Sequence, residues 1–333
     1  MKTFWTIVLG LFLLVGCNNG SDDPMGNWVK KSDFEGLPRG SSVSFVIGDK
    51  AYVGLGYNDD DDAPNDGYLK DFWVYNAATD RWDPIADFPG NGRVAAVAFS
   101  VNGKGYVGTG FDGDYKLKDF WEYDPTSNTW TQKDNFKGGA RYQAVGFSVN
   151  NYGYIGTGYG DDSVDKIDFY RFDPAAASGN QWVKVQSIGG SKRRGATAFS
   201  YNNKAYVCTG VNNGVSLTDM WEYDPTADTW TQKIDLDDDD DWNVIRKNAS
   251  SFVLDDKAYV CLGESSSTLG TVWQYDFAKD TWVEMSDFEG SSRTSAVAFT
   301  VGGKAIVTTG QTGSYYLDDV WEFRPYEESD TDD

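Results

Sequence analysis

An arginine recurs at intervals of about fifty residues, and the residues downstream of it recur in step. The positions are Arg39, Arg93, Arg141, Arg193, Arg246 and Arg293. Six residues after each stands a Phe (Phe45, Phe99, Phe147, Phe199, Phe252, Phe299), and seventeen after each a Gly (Gly56, Gly110, Gly158, Gly210, Gly263, Gly310), with no gap in any copy. Further on come an aromatic pair two apart (Trp73/Tyr75, Trp121/Tyr123, Tyr170/Phe172, Trp221/Tyr223, Trp273/Tyr275, Trp321/Phe323) and then Trp82, Trp130, Trp182, Trp230 and Trp282. Each copy must therefore be one supersecondary unit that buries its apolar faces only by packing on its neighbours.

Within a unit the segments are short, alternating and rich in β-branched and aromatic residues, which predicts strands. The first two, AAVAFSV and KGYVGTG in the second copy, are joined by pairs such as Asn102-Gly103, Asn202-Asn203, Asp255-Asp256 and Gly302-Gly303. These residues tolerate the positive φ of a two-residue hairpin. A third strand, DFWEYD, turns through Asp124-Pro125, Asp173-Pro174 or Asp224-Pro225 into a fourth that begins at the Trp. The expectation is all-β: six four-stranded antiparallel blades arranged radially.

The Arg, the Gly after the second strand, and the aromatic, Asp and Trp series resemble kelch repeats, over residues 28–325. The resemblance implies a kelch-type propeller, a scaffold used mainly for binding and occasionally for catalysis. One detail departs from it: kelch units usually carry a double Gly after the second strand, where this chain has GLG, GTG, GTG, CTG, CLG and TTG. The ends of the repeat are complementary. The last copy stops after its third strand, at Trp321 and Phe323, whereas Trp28 in WVKKSDF stands alone and matches WVEMSDF at Trp282. Residues 28–33 are thus expected to be the outermost strand of the last blade.

The first seventeen residues read as a targeting segment: Lys2, an apolar stretch too short to span a bilayer, and Leu14-Val15-Gly16-Cys17, which resembles a bacterial lipoprotein cleavage box with Cys17 as the lipidated residue. Residues 18–27 read as a polar tether and 326–333 as an acidic disordered tail. The absence of Asp after Cys17, with Ser21-Asp22-Asp23 further on, resembles the signal that sends Bacteroidetes lipoproteins to the outer membrane and sometimes to the cell surface. Cys208 and Cys261, in equivalent second strands, read as small buried hydrophobes.

A net charge of -22 argues against nucleic acid and anionic lipid as partners. The chain has no histidine, which removes His-dependent nucleophilic catalysis and His-ligated zinc or copper. The copper chemistry of galactose oxidase, a member of the same superfamily, is thereby excluded. Carboxylate, Tyr or Arg chemistry on sugars stays open.

The long loops 57–70, 111–118, 159–167, 211–218, 264–270 and 311–317, with segment 235–246, all fall on the rim where the first strand is entered. That rim is the expected binding face. Arg39, Arg93, Arg141, Arg193, Arg246 and Arg293 sit there too. They form either a cationic ring around the channel mouth or strand-tying pairs with Asp71, Asp119, Asp168, Asp219 and Asp319. Arg246, which faces Thr271 instead of an Asp, and the additional Arg194 are the candidates for a free guanidinium. Asp59, Asp61, Asp112, Asp114, Asp161 and Asp165 lie in acidic loops that read as solvated, with a Ca2+ cage as the alternative and no other cofactor expected. Tyr57, Tyr68, Phe111, Tyr115, Tyr159, Trp242, Tyr315 and Tyr316 are rim aromatics suited to glycan or protein contact. The expected function is a non-catalytic, membrane-anchored, monomeric module binding a protein or glycan at this rim; a sugar-active hydrolase or isomerase using carboxylates is the alternative.

Overall fold

A computed structural model describes residues 24–238 and 242–330, so Cys17 and the targeting segment lie outside the described residues. It is a six-bladed propeller of four antiparallel strands per blade. Blade 1 is formed by Val43–Ile47, Lys50–Gly54, Phe72–Asn76 and Arg81–Pro84. Blades 2 to 5 repeat this order with first strands Val97–Val101, Val145–Val149, Thr197–Tyr201 and Ser250–Leu254. Blade 6 takes Val297–Val301, Lys304–Thr308 and Val320–Arg324 from the end of the chain and Asn27–Lys30 from its beginning.

Trp28 pairs with Phe323, the register in which Trp82 meets Tyr75 in blade 1. Its ring has no exposed surface and lies 4.7 Å from both Phe288 and Phe323. The closing strand ends at Lys30, shorter than the 28–33 expected. The body also begins earlier than residue 28. Ser286 N–H donates to Met25 O, Ser286 Oγ to Pro24 O, and Gly26 N–H to Glu327 O. On the far side Ser329 and Asp330 bond to Glu289 and Asn27, so residues 24–27 and 326–330 are packed onto the propeller.

Six apolar clusters fill the six seams between blades. The repeated Phe and second-strand residue of one blade pack at an angle against the third-strand ring of the next, as Phe45 and Tyr52 do with Tyr123. Cys208 and Cys261 are free and fully buried here, and burial pushes both thiols up to about 12.

Two closed circles of backbone hydrogen bonds join the blades at the rim. In one, Ser41, Ala95, Gln143, Gly195, Asn248 and Ser295 each donate N–H to the carbonyl of the corresponding residue one blade back, at 2.8–3.1 Å. All six have left-handed φ of 48–63°. In the other, the repeat Gly N–H of each blade donates to the carbonyl of the next blade's repeat Arg at 2.8–2.9 Å, closing from Gly310 to Arg39. The residue before that Gly (Leu55, Thr109, Thr157, Thr209, Leu262, Thr309) has φ of 58–64°, while the Gly itself is at 89–102°. The kelch double Gly is thus met here by a side-chain-bearing residue held in the conformation glycine adopts freely.

Candidate functional site

The repeat arginines explain how that strained turn is held. Each sends Nη1 to the carbonyl sixteen residues on, that of Leu55, Thr109, Thr157, Thr209, Leu262 or Thr309, at 2.8–3.3 Å. Five also pair with a carboxylate of their own blade: Arg39 with Asp71, Arg93 with Asp119, Arg141 with Asp168, Arg193 with Asp219 and Arg293 with Asp319. Trp73, Trp121, Trp221 and Trp321 donate Nε1 to the same acids. Phe34, Phe88, Phe136 and Phe288 lie 4.8–5.0 Å beneath four of the guanidinium groups. Burial alone would raise Asp71, Asp119 and Asp319; the bonds and charge from their arginines outweigh it and hold all three below the ordinary carboxylate value.

The ligand-facing cationic ring is therefore corrected. Arg39, Arg93, Arg141, Arg193, Arg246 and Arg293 are at most 1% exposed and belong to the frame. Arg246 is enclosed although it lacks a carboxylate, because Val244 O, Leu262 O, Thr271 O and Thr271 Oγ1 take its N–H groups. Burial pushes this guanidinium down to about 10, so it stays cationic at neutral pH. Blade 5 departs from the pattern twice: Asn243 stands where the other blades have Gly36, Gly90, Gly138, Gly190 and Gly290, and Thr271 where they have Asp. In blade 4 a Cβ on Gly190 would lie 1.9 Å from Asp219 Oδ2, so a side chain at one position excludes the carboxylate at the other.

The next residue along is the one presented to the rim. Bridges outside the blades pair Gly40 with Tyr57, Val94 with Phe111, Tyr142 with Tyr159, Arg194 with Val211, Lys247 with Glu264 and Thr294 with Gln311. The frame is six-fold, but these pairs are not. Blades 1 to 3 carry rings or small apolar residues, whereas blades 4 and 5 carry Arg194, Lys247 and Glu264.

Here a cavity of about 300 Å³ opens, lined by Tyr142, Gln143, Arg194, Lys247, Glu264 and Ser265 among others. It adjoins the narrow channel mouth, which is surrounded by small residues such as Ser42, Ala96, Ala144 and Ala196. Arg194 is preorganised: Nη1 bonds at 2.8 Å to Asp165, a carboxylate 1% exposed, and the guanidinium lies 4.7 Å over Tyr159. That bond leaves other N–H groups of its fork for a ligand. Glu264, the carboxylate among the lining residues, accepts from Asn248 Nδ2 at 2.9 Å and lies 3.7 Å from Lys247 Nζ. Gln143 Nε2 in turn donates to Asn248 Oδ1 at 3.1 Å.

The rim candidates thus separate. Arg194 and Tyr159 are at or beside the cavity. Trp242 is half-buried against the core of blades 4 and 5, with Nε1 on Asp235 O, and does not line it. Tyr115 and Tyr315 are exposed at loop tips, 72% and 74%. Among the described residues no three His, Cys, Asp or Glu side chains are grouped to hold a metal ion. Asp165 is engaged by Arg194 and Asn213 N–H, and Asp112 by Asn91 and the N–H groups of Asp114 and Tyr115. Asp59, Asp61 and Asp161 are exposed loop residues. Lys247, Asn248, Gln143 and Tyr142 escaped the reading of the sequence, and Glu264 entered it only as the first residue of the rim loop 264–270. Their signal was their offset, one or two residues past the repeat Arg or one past the repeat Gly.

A frame of this kind, with its buried Arg in every blade and its closing N-terminal strand, is a six-bladed β-propeller, and part of it matches a kelch-repeat family. Residues 134–292 match the KLHDC2/KLHL20/DRC7 kelch-repeats domain. The solved structure of YjhT superposes with a TM-score of 0.71 at 16% identity, covering 87% of this chain and 95% of that one, which establishes the shared fold. Over 85 residues the chain is 32% identical to the N-acetylneuraminate epimerase of Yersinia enterocolitica, spanning 25% of this chain and 21% of that protein. This match corrects the expectation of a non-catalytic module. The curated protein to which the chain aligns is an enzyme by name, and the absence of a catalytic signature in the sequence had carried the opposite reading.

Proposed function

We propose that the cavity between blades 3 and 5 binds an acidic sugar and inverts one of its stereocentres by proton transfer. The observation that carries this is the convergence of Arg194, Lys247 and Glu264 in one concave site of an otherwise acidic protein. A guanidinium held by a buried carboxylate, with an ammonium beside it, suits the carboxylate of a sugar acid. Gln143 and Asn248 supply amide donors and acceptors for hydroxyl or N-acetyl groups. Glu264, oriented by Asn248 and Lys247, takes the proton of the anomeric hydroxyl as the ring C–O bond breaks to give the open-chain ketone and passes it to the released ring oxygen; the same transfers run in reverse as that oxygen re-closes on the other face of the carbonyl. The name of the Yersinia enterocolitica relative supports the substrate class, N-acetylneuraminate being a sugar acid. We also propose that the body is held at a membrane, the outer membrane by the resemblance of the signal, through a lipid on Cys17.

Calorimetry with N-acetylneuraminate and exchange NMR of its interconverting forms test the site. Arg194→Ala is expected to weaken binding at least tenfold. Glu264→Gln is expected to keep binding within a few-fold and to abolish the rate enhancement. Wild-type protein that neither binds the sugar nor accelerates its interconversion overturns the reading.

A further inference from the structure

Six rings meet edge to face or at a tilt in a series around the mouth that starts beside the cavity. Tyr159 meets Tyr142 at 5.8 Å between centroids, Tyr142 meets Phe111 at 5.7 Å, and Phe111 meets Tyr68 at 6.5 Å. Tyr68 meets Tyr57 at 4.9 Å and Tyr57 meets Tyr316 at 6.0 Å. The series crosses from blade 3 through blades 2 and 1 to blade 6. Four of the rings, Tyr57, Phe111, Tyr142 and Tyr159, stand at positions equivalent to those of Arg194, Lys247 and Glu264 in blades 4 and 5, and the series spans four of the six blades. All six rings are partly exposed. Their placement is fixed by close packing: Gly113 lies so near Tyr68 that an added Cβ would sit 2.8 Å from its ring.

A sheet core has no use for rings on this rim, since each seam already has its own cluster. We propose that the arc is a binding track for a neutral oligosaccharide of equatorially substituted pyranoses. Such sugars present C–H groups on both faces, which pack on aromatic rings, while hydroxyls at the ring edge bond to polar groups alongside. Those groups are present: Asp112 and Asp114 follow Phe111 midway along the series, and Asn91 Nδ2 bonds to Asp112 Oδ2 at 2.7 Å. The surrounding loop carboxylates and the net charge of -22 exclude a polyanionic chain. A cationic peptide is disfavoured as well. At the blade 3 end the protein's own Lys116 and Arg194 already lie 4.5 and 4.7 Å from the ring of Tyr159, and Asp112 is engaged by three internal donors.

The track adjoins the acidic-sugar cavity at Tyr142 and Tyr159, and its test, made with neutral oligosaccharides, is distinguishable from the test of that cavity. Binding of N-acetylglucosamine and glucose β-1,4 oligomers, from monosaccharide to hexasaccharide, is measured by calorimetry on residues 24–333. Affinity is expected to rise at least tenfold with length and then level off. Phe111→Ala and Tyr68→Ala are each expected to lower hexasaccharide affinity about tenfold, Phe111→Trp to retain it because the ring survives, and Lys50→Ala, on the opposite hairpin face, to leave it unchanged. Affinity independent of length in both series overturns the track, as does equal loss in Phe111→Trp and Phe111→Ala. Oligolysine that binds and displaces the hexasaccharide assigns the rings to a cationic partner and also overturns it. Loss of N-acetylneuraminate binding alone bears only on the cavity.

Discussion

Asp219 is one end of an ion pair whose other end, Arg193, has no exposed surface, and the same carboxylate serves Trp221 Nε1. Cutting the pair leaves a buried guanidinium without its counter-charge, a change that costs about 3–5 kcal/mol. Asp219→Ala is expected to lower stability by that amount in urea unfolding; a loss below about 1 kcal/mol would mean that the backbone carbonyl of Thr209 suffices for the arginine. Related pairs shape the acid limit. Asp71, Asp119 and Asp319 bind their protons less readily folded than unfolded. Their contribution is complete above the ordinary carboxylate range and is lost as pH falls through the lower folded values. Stability is therefore expected to be flat above roughly pH 5 and to fall steeply below about pH 4. Chemical denaturation across that range checks the sign. Pairing of Arg with Asp was legible in the repeat spacing; that Arg246 would be equally enclosed was not, because the carbonyls that replace its carboxylate come from the fold.

The strand Asn27–Lys30 is the element that turns six units into a ring, and Trp28 is its apolar anchor. Truncating a buried Trp removes ring contacts and leaves a cavity, at a cost of about 3–5 kcal/mol. Trp28→Ala is expected to lower stability by that much and to increase exchange of the Val320–Arg324 amides more than those of Phe120–Asp124. Equal exchange in both strands would show that closure rests on the two backbone circles instead. The strand was visible as a surplus Trp matched to a missing one. The circles were not: nothing in Ser41, Ala95 or Gln143 marks a left-handed residue, and only the curvature of the assembled ring brings each N–H to the carbonyl one blade back.

At the scale of the molecule, function depends on which face looks outward. Asn27 pairs with Arg324, the end of its strand remote from Asp319 at the rim, so the chain enters the propeller on the face opposite the cavity. Anchored through Cys17, as we propose, the protein would present its rim away from the bilayer, on a tether of at most roughly 20 Å. With vesicle-bound protein, a cysteine at Ser265→Cys is expected to react with a membrane-impermeant maleimide as fast as in the free protein. A cysteine at Lys50→Cys, on the hairpin face, is expected to react more slowly. The reverse order would place the cavity against the membrane.

The six-fold frame was written in local chemistry: period, hairpin pairs and the Arg-to-Asp spacing each act within one unit, so the chain alone determined blade number, strand order and closure. The cavity arises differently. Gln143 comes from blade 3, Arg194 from blade 4 and Lys247, Asn248 and Glu264 from blade 5, so no linear motif relates them. Only wrapping six similar sheets around one axis brought these dissimilar residues to a common mouth. That same curvature turned the arginines inward, where the strained turns needed their donors more than any ligand did.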